Sequence, residues 1–305
     1  MSEQGEQMHE QSGGTDQVLL ANLRDALGSA HSALGHYHEA LRYQQQALDI
    51  RRKVLGENHP DAATSLSNLG ATYSELGQHQ EALRCQEQAL EIRREVLGER
   101  HPDTAASLSN LGATYLRLGQ LHEALRYEQQ ALSIEREALG ERHPSTATSL
   151  SNLGATYSEL GQHQEALRCQ EQALDIRREV LGERHPDTAT SVINLGMTYH
   201  DLGQLDEALR LVDEALDIQR EVLGIAHPDT VGTLHHLLTI LSKSRRIPEP
   251  MARLREYLDE LPFNHPARQQ LEVRYKELLA EQVGGFRQPQ AKGQAQQKKK
   301  KGKRR

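Results

Sequence analysis

The sequence predicts an all-α fold, a solenoid of antiparallel helix pairs, on three observations. The tripeptide Asn-Leu-Gly returns at Asn68, Asn110, Asn152 and Asn194, each 42 residues after the last. A fixed period between roughly 20 and 50 residues marks a stacked array rather than one closed globule. Each period also holds two segments whose apolar residues fall at helical spacing, and only 4% of the 305 residues are aromatic against 26% charged. That balance leaves too few bulky side chains for a single large core.

Taken in order, residues 1–16 are Glu, Gln and Gly without an apolar run, so they are expected to be disordered and carry no secretory signal. No later stretch approaches the roughly 18 consecutive apolar residues of a spanning helix, which points to a soluble, cytoplasmic protein with no membrane partner. Residues 17–226 hold five units, and the second shows the pattern. Pro60 and Asp61 suit a first helical turn, since proline's φ is already helical and an acid favours the positive end of the helix dipole. Leu66, Leu69, Tyr73 and Leu76 then line one face. Gly70 lies on that face at a cost of roughly 1 kcal/mol in a helix interior, so another helix is expected to approach too closely there for a side chain. Gly77 ends this helix. The next runs over 79–97, with Ala82, Ala89 and Val96 beside Leu83, Leu90 and Leu97 as a packing stripe. Gly98 stops it, and the link from Glu99 to Pro102 leads to the following unit. Neither helix buries its face alone; stacking on neighbours does so.

Over 227–283 the pattern decays into a degenerate repeat and capping helices. Leu234, Leu237, Leu238 and Leu241 keep a helical face, but Leu238 stands where the earlier units have glycine, so the neighbour contact must change. Two more helices are expected at 250–261 and 267–283. Residues 284–305 carry nine of the 36 basic residues and none of the 43 acidic ones. This segment is expected to be disordered. Its run from Lys298 to Arg305 reads as a nuclear-targeting or polyanion-binding arm, or as a tail that only keeps the chain soluble.

Leu69, Gly70, Tyr73, Ala82 and Ala89 stand at the relative spacing of the tetratricopeptide repeat, although the unit here is eight residues longer than that family's usual 34. The longer unit, with Ala-Leu-Asp-Ile-Arg-Arg-Glu-Val-Leu-Gly-Glu-Arg-His-Pro-Asp-Thr-Ala over 173–189, resembles that of kinesin light chains. The resemblance covers about residues 17–229. It implies a right-handed tetratricopeptide-type superhelix that acts as a non-catalytic scaffold, holding a protein or peptide in its concave groove, with a cargo adaptor as the specific version. Leu66, Leu108 and Leu150 replace the family's tryptophan. Gln86 and Gln170 stand where an apolar or aromatic residue is common, so looser packing is expected.

Two units, 59–100 and 143–184, differ at only three of 42 positions. Such near-identity favours a distributed surface over one catalytic pocket. Five of the 16 histidines belong to His-Pro links 42 residues apart, and helices packed about 8–10 Å apart keep them from sharing an ion. His38-Glu39 and His122-Glu123 begin like a zinc-protease helix, yet the second histidine is Arg42 or Arg126. Cys85 and Cys169 lie two units apart and are expected to be free thiols. With no phosphate loop or nucleophile elbow, the sequence implies no enzyme, cofactor, metal or small-molecule substrate.

By resemblance, the first helices line the groove. Their exposed side is expected to include Ser67, Asn68, Ala71, Ser74 and Glu75; then Ser109, Asn110, Ala113, Leu116 and Arg117; then Ser151, Asn152, Ala155, Ser158 and Glu159; then Ile193, Asn194, Met197, His200 and Asp201. This is an asparagine ladder. An amide both donates and accepts, so a row of them can bond the backbone of an extended peptide without demanding its sequence. The alternative is that each asparagine bonds within its own helix pair or to water. Only Arg117 is basic among Glu75, Glu159 and Asp201, which disfavours an acidic C-terminus as ligand and favours an apolar or mildly basic peptide. The competing function is a nucleic-acid-associated factor whose basic tail makes the main contact while the repeats recruit a protein.

Overall fold

A computed structural model describes residues 3–244 and 248–285, with side chains over 14–244 and 250–280. Among the described residues there are thirteen helices and no strand: α1 (Glu3–Ala33), α2 (Tyr37–Leu55), α3 (Pro60–Glu75), α4 (His79–Leu97), α5 (Pro102–Arg117), α6 (Leu121–Ala138), α7 (Pro144–Glu159), α8 (His163–Leu181), α9 (Pro186–Asp201), α10 (Leu205–Val222), α11 (Pro228–Lys243), α12 (Pro248–Glu260) and α13 (Pro266–Gly285). The chain divides into two compact units, Met1–Glu183 and Arg184–Arg305. Consecutive helices pair and stack within each, the arrangement of an all-α tetratricopeptide solenoid. No helix among the described residues is long and apolar enough to cross a membrane.

The first helices of the pairs from α3 onward start by one device. His59, His101, His143, His185 and His227 each sit in extended backbone before a proline, and each ring Nδ1 accepts the N–H two residues on, at 3.1–3.3 Å. The ring acts as an N-cap, which satisfies one of the donors a helix start leaves bare and requires the neutral tautomer protonated on Nε2. Sequence reading treated these histidines only as links. A sixth copy, His265 before Pro266, caps the N–H of Ala267 at 3.3 Å and went unnoticed because it stands outside the 42-residue register.

Each helix pair closes on its glycine. A Cβ built on Gly70 would lie 2.8 Å from Gln86 Cγ and 3.2 Å from the Ala82 carbonyl oxygen, and Gly28, Gly112 and Gly154 meet the same surroundings. The expected looseness at Gln86 and Gln170 is therefore corrected: both side chains are buried, with their carbons filling the notch the glycine leaves. Around each crossing only small clusters form, such as Leu48, Ala62, Ala63, Leu66, Leu69, Ala89 and Ile92.

Polar groups complete the stacking between pairs. Arg93, buried on α4, reaches α5 and donates to Ser107 Oγ at 2.8 Å and to the Asp103 carbonyl at 3.2 Å. Arg51 on α2 does the same for Ser65 and Asp61, and also pairs with Asp25 of α1. Removing one partner of such a buried set leaves an unpaired charge, which costs far more than the pair contributes.

One expectation changes. Helix α1 begins at Glu3 and so runs through most of the segment read as disordered over 1–16. In the second unit Leu238 fills the glycine position and joins a larger core with Val212, Leu216, Leu234, Leu241, Leu254, Leu258 and Leu271. There α11 packs against both α12 and α13, so bulk replaces close approach. Buried Tyr257 ties α12 to α10, its hydroxyl donating to Asp213 at 3.0 Å while Arg253 donates to Asp217 at 2.9 Å. Residues 286–305 of the basic tail lie outside the described residues.

The glycine contact gives a test of opposite signs. Gly70→Ala is expected to destabilise the first unit by about 1–3 kcal/mol through overpacking, despite gaining about 1 kcal/mol of helix propensity. Gly232→Ala, on an exposed part of α11 with nothing within 4 Å of the new Cβ, is expected to stabilise by about 0.5–1 kcal/mol. Urea unfolding of both variants would check this, and a stabilising Gly70→Ala would rule out the crossing as the constraint.

Candidate functional site

In the first unit the candidate residues sit on α3, α5 and α7 in one register. Asn68, Asn110 and Asn152 are each half-buried. Asn152 Nδ2 donates to Ser109 Oγ on the neighbouring first helix at 3.2 Å, so that rung is tied to the rung before it. The amides of Asn68 and Asn110 make no side-chain hydrogen bond among the described residues. Ser67 and Ser109 are half-buried beside them, Leu116 is half-buried, and Ser151 is buried.

Arg117 does not act as a free cation. Its guanidinium donates to Glu75 Oε1 at 2.7 Å and to Ser74 Oγ at 3.3 Å, both on α3. The one basic group expected on this face is thus matched by an acid of the preceding unit. At the start of the ladder a cleft of about 360 Å³ opens, lined by Asn68, Ala71 and Glu75 of α3, Ser29 and Ser32 of α1, and Tyr37 of α2.

In the second unit the same register holds less open surface. Asn194 is half-buried, and Met197 packs partly against the core. His200 and Ile193 are corrected: both are buried rather than exposed, at 5% and 8%. His200 Nδ1 lies 2.9 Å from Asp201 Oδ1. The next rung, missed in the sequence, is His236, 42 residues after Asn194. Burial, with help from neighbouring His235 and His200, holds its ring below the usual histidine range, so it is neutral at neutral pH. The period itself was the signal that could have found it.

A second feature that sequence reading missed lies on α6. Glu128 occupies the place of Gln44, Gln86 and Gln170, and Glu135 that of Arg51 and Arg93. Both are buried, at 0% and 4%. Neither carboxylate oxygen of Glu128 has a hydrogen-bond partner. Burial pushes its carboxyl up to about 7, moderated by the nearby Thr156 hydroxyl of α7. Glu135 is raised too, chiefly by burial and moderated by Ser149. Spacing alone marks these positions as core, but only the packed neighbours reveal that no cation meets them.

Cys85 and Cys169 are free and half-buried, and burial raises both thiols, which keeps them protonated and unreactive. Among the described residues no group of three His, Cys, Asp or Glu is arranged to hold a metal ion.

The tetratricopeptide repeat family matches the chain over residues 3–53, 19–94, 61–137, 129–179, 145–221 and 187–259. A Podosopora anserina kinesin light chain-like protein of nearly identical TPR-like repeats is 31% identical, covers 67% of this chain and 97% of its own, and superposes with a TM-score of 0.54. BtubC (BKLC) from P. vanneervenii is 26% identical over 68% of this chain and 83% of its own, with a TM-score of 0.58. A Rap protein, solved in complex with competence and sporulation factor, is 15% identical and shares the fold alone, covering 87% of this chain and 76% of its own with a TM-score of 0.58. No curated protein matches. The array is thus similar to kinesin light chain repeats, as its 42-residue unit implied.

Glu128 makes stability depend on pH. Its native carboxyl titrates near 7 and its unfolded one near 4.3. As pH rises between those values the unfolded chain loses the proton first, and the native state loses about 3 kcal/mol, fully so above 7. Glu128→Gln, which Gln86 and Gln170 show the site can hold, is expected to stabilise the protein by about 2–3 kcal/mol at pH 8 and by almost nothing at pH 4. Denaturant unfolding at the two pH values checks this, and an equal gain at both would sink it.

Proposed function

The chain belongs to the tetratricopeptide repeat family, and from that premise we propose that it is a non-catalytic interaction scaffold holding an extended peptide or a partner helix against the first helices of its repeats. The observation that carries the reading is the pair of unbonded amides, Asn68 and Asn110, in register along α3 and α5 above the cleft at the start of the ladder. Each amide offers one donor and one acceptor at a spacing set by the helix stack. Backbone groups of an extended ligand need both, whatever its side chains.

Electrostatics narrows the ligand. Arg117 is already matched by Glu75, and Glu159 leaves the remaining charge of these positions in the first unit acidic. Bringing in a carboxylate-rich tail would set like charges together, whereas an apolar or mildly basic segment meets no such penalty. The likeness to kinesin light chain repeats supports a narrower version in which this chain is a cytoplasmic cargo adaptor. A role for the basic run from Lys298 to Arg305 in nuclear targeting or polyanion binding is the competing version. Deleting 286–305 separates them, since only the competing version loses salt-sensitive nucleic-acid binding.

The groove reading predicts that Asn68→Ala with Asn110→Ala weakens capture of peptides selected on the wild-type protein from an extended-peptide library by about 30-fold, from two lost hydrogen bonds of about 1 kcal/mol each. Far-UV circular dichroism is expected to stay unchanged. Equal affinity of the double variant and the wild type would remove the ladder from the mechanism.

A further inference from the structure

Helix α1 carries an apolar face that nothing covers among the described residues. Leu19, Leu20, Leu23, Leu27 and Leu34 are 67%, 40%, 57%, 40% and 70% exposed. Leu20, Leu23, Leu27, Ala30 and Leu34 follow one another at spacings of three, four, three and four, the seam of a helix that packs knobs into holes against a partner. Leu34 continues the last turn, with its N–H bonded to the Ala30 carbonyl at 3.1 Å. The seam spans roughly 21 Å.

The same register is buried elsewhere in the unit, and comparison shows what α1 is not built to receive. On α3 it is Ala62, Ser65, Leu69 and Thr72; on α5, Thr104, Ser107, Leu111 and Thr114; all are buried. Ser65 and Ser107 take guanidinium bonds from the preceding second helix, and Thr104 Oγ1 donates to the Gly98 carbonyl of the preceding link. At those places α1 has Leu20 and Leu23, which can accept and donate nothing. An Arg-bearing helix of the repeat kind would be left with an unpaired buried charge there. The fitting occupant is a wholly apolar helix face.

We propose that this occupant is α1 of a second copy of the chain, crossing antiparallel about Leu27. In that crossing Leu20 meets the second copy's Leu34 and Leu27 meets its own counterpart, so leucine packs on leucine along the seam. A two-fold contact of this kind is self-complementary by construction. Over 14–34 the exposed or half-buried side chains of α1 include few charges, Asp16 and Arg24 being of opposite sign, so two copies meet without like-charge repulsion. The other exposed large apolar residues of the unit, Val96 and Val180, stand alone. Among the described residues of that unit the α1 face is thus the one apolar stripe a second copy could offer. The inference does not rest on the groove reading.

Sedimentation equilibrium of the full chain across the micromolar range tests it. Wild type is expected to be a dimer, and Leu23→Glu with Leu27→Glu a monomer of unchanged helical content. These two leucines are exposed, so the double variant has no core to lose. As an independent reading, Leu27→Cys is expected to form an oxidised dimer on a non-reducing gel above the background of Cys85 and Cys169, whereas Ser29→Cys, on the cleft side of α1, is not. A monomeric wild type, a double variant that still dimerises, or equal cross-linking at 27 and 29 would overturn the proposal. Recovery of the α1 face bound to a different protein instead of a second copy would overturn it as well.

Discussion

Everything regular in this molecule depends on two helices touching where the first has no room for a side chain. At Gly28, Gly70, Gly112 and Gly154 the backbone of the first helix lies against the second, with an alanine carbonyl and the methylenes of Gln44, Gln86, Glu128 or Gln170 in the space a Cβ would need. Close approach fixes the distance within a pair. Because the same contact recurs every 42 residues, it also fixes the pitch at which side chains on successive first helices present themselves. The asparagine ladder follows from that pitch, and at one rung Asn152 donates to Ser109 of the preceding first helix.

Such thin, repeated contacts bury little apolar bulk, so polar groups hold a large share of the interior. Ser65, Thr104, Ser107 and Thr146 at the starts of α3, α5 and α7 are buried and bond neighbouring links or guanidinium groups. Stability in such an array is a sum of unit and neighbour terms, and one unit carries a weak term. Glu128 and Glu135 place two carboxyls where other units have amides or guanidinium groups, and neither finds a cation. The second unit solves the problem differently. Once Leu238 replaces the glycine, α11 no longer takes a close neighbour and instead seats α12 and α13 around a leucine-rich core.

The functional consequence is a division of surfaces. On α3 and α5, half-buried amides without side-chain bonds and a matched Arg117–Glu75 pair make a polar surface. The outer face of α1 is opposite in kind. It has leucines where its sister helices have serine and alanine or threonine, and it therefore asks for apolar contact. Surfaces of such different chemistry can be occupied at once, so holding a ligand and pairing with a second copy do not compete.

The sequence by itself determined the helix pairs, their boundaries to within a few residues, the close glycine crossing and the free thiols. All of these depend on local spacing, on proline and glycine backbone limits, and on a period that repeats. Even the place of Leu238 as a break in the pattern was legible there. Tertiary structure decided what the period cannot carry, which is who sits opposite whom. That Gln86 fills a notch rather than loosening the core, that Arg117 is already paired, that His200 is buried and that Glu128 lacks a partner are facts about neighbours far along the chain. A repeat pattern assigns each residue a register, but its burial and charge balance are set by the side chains that stacking brings against it.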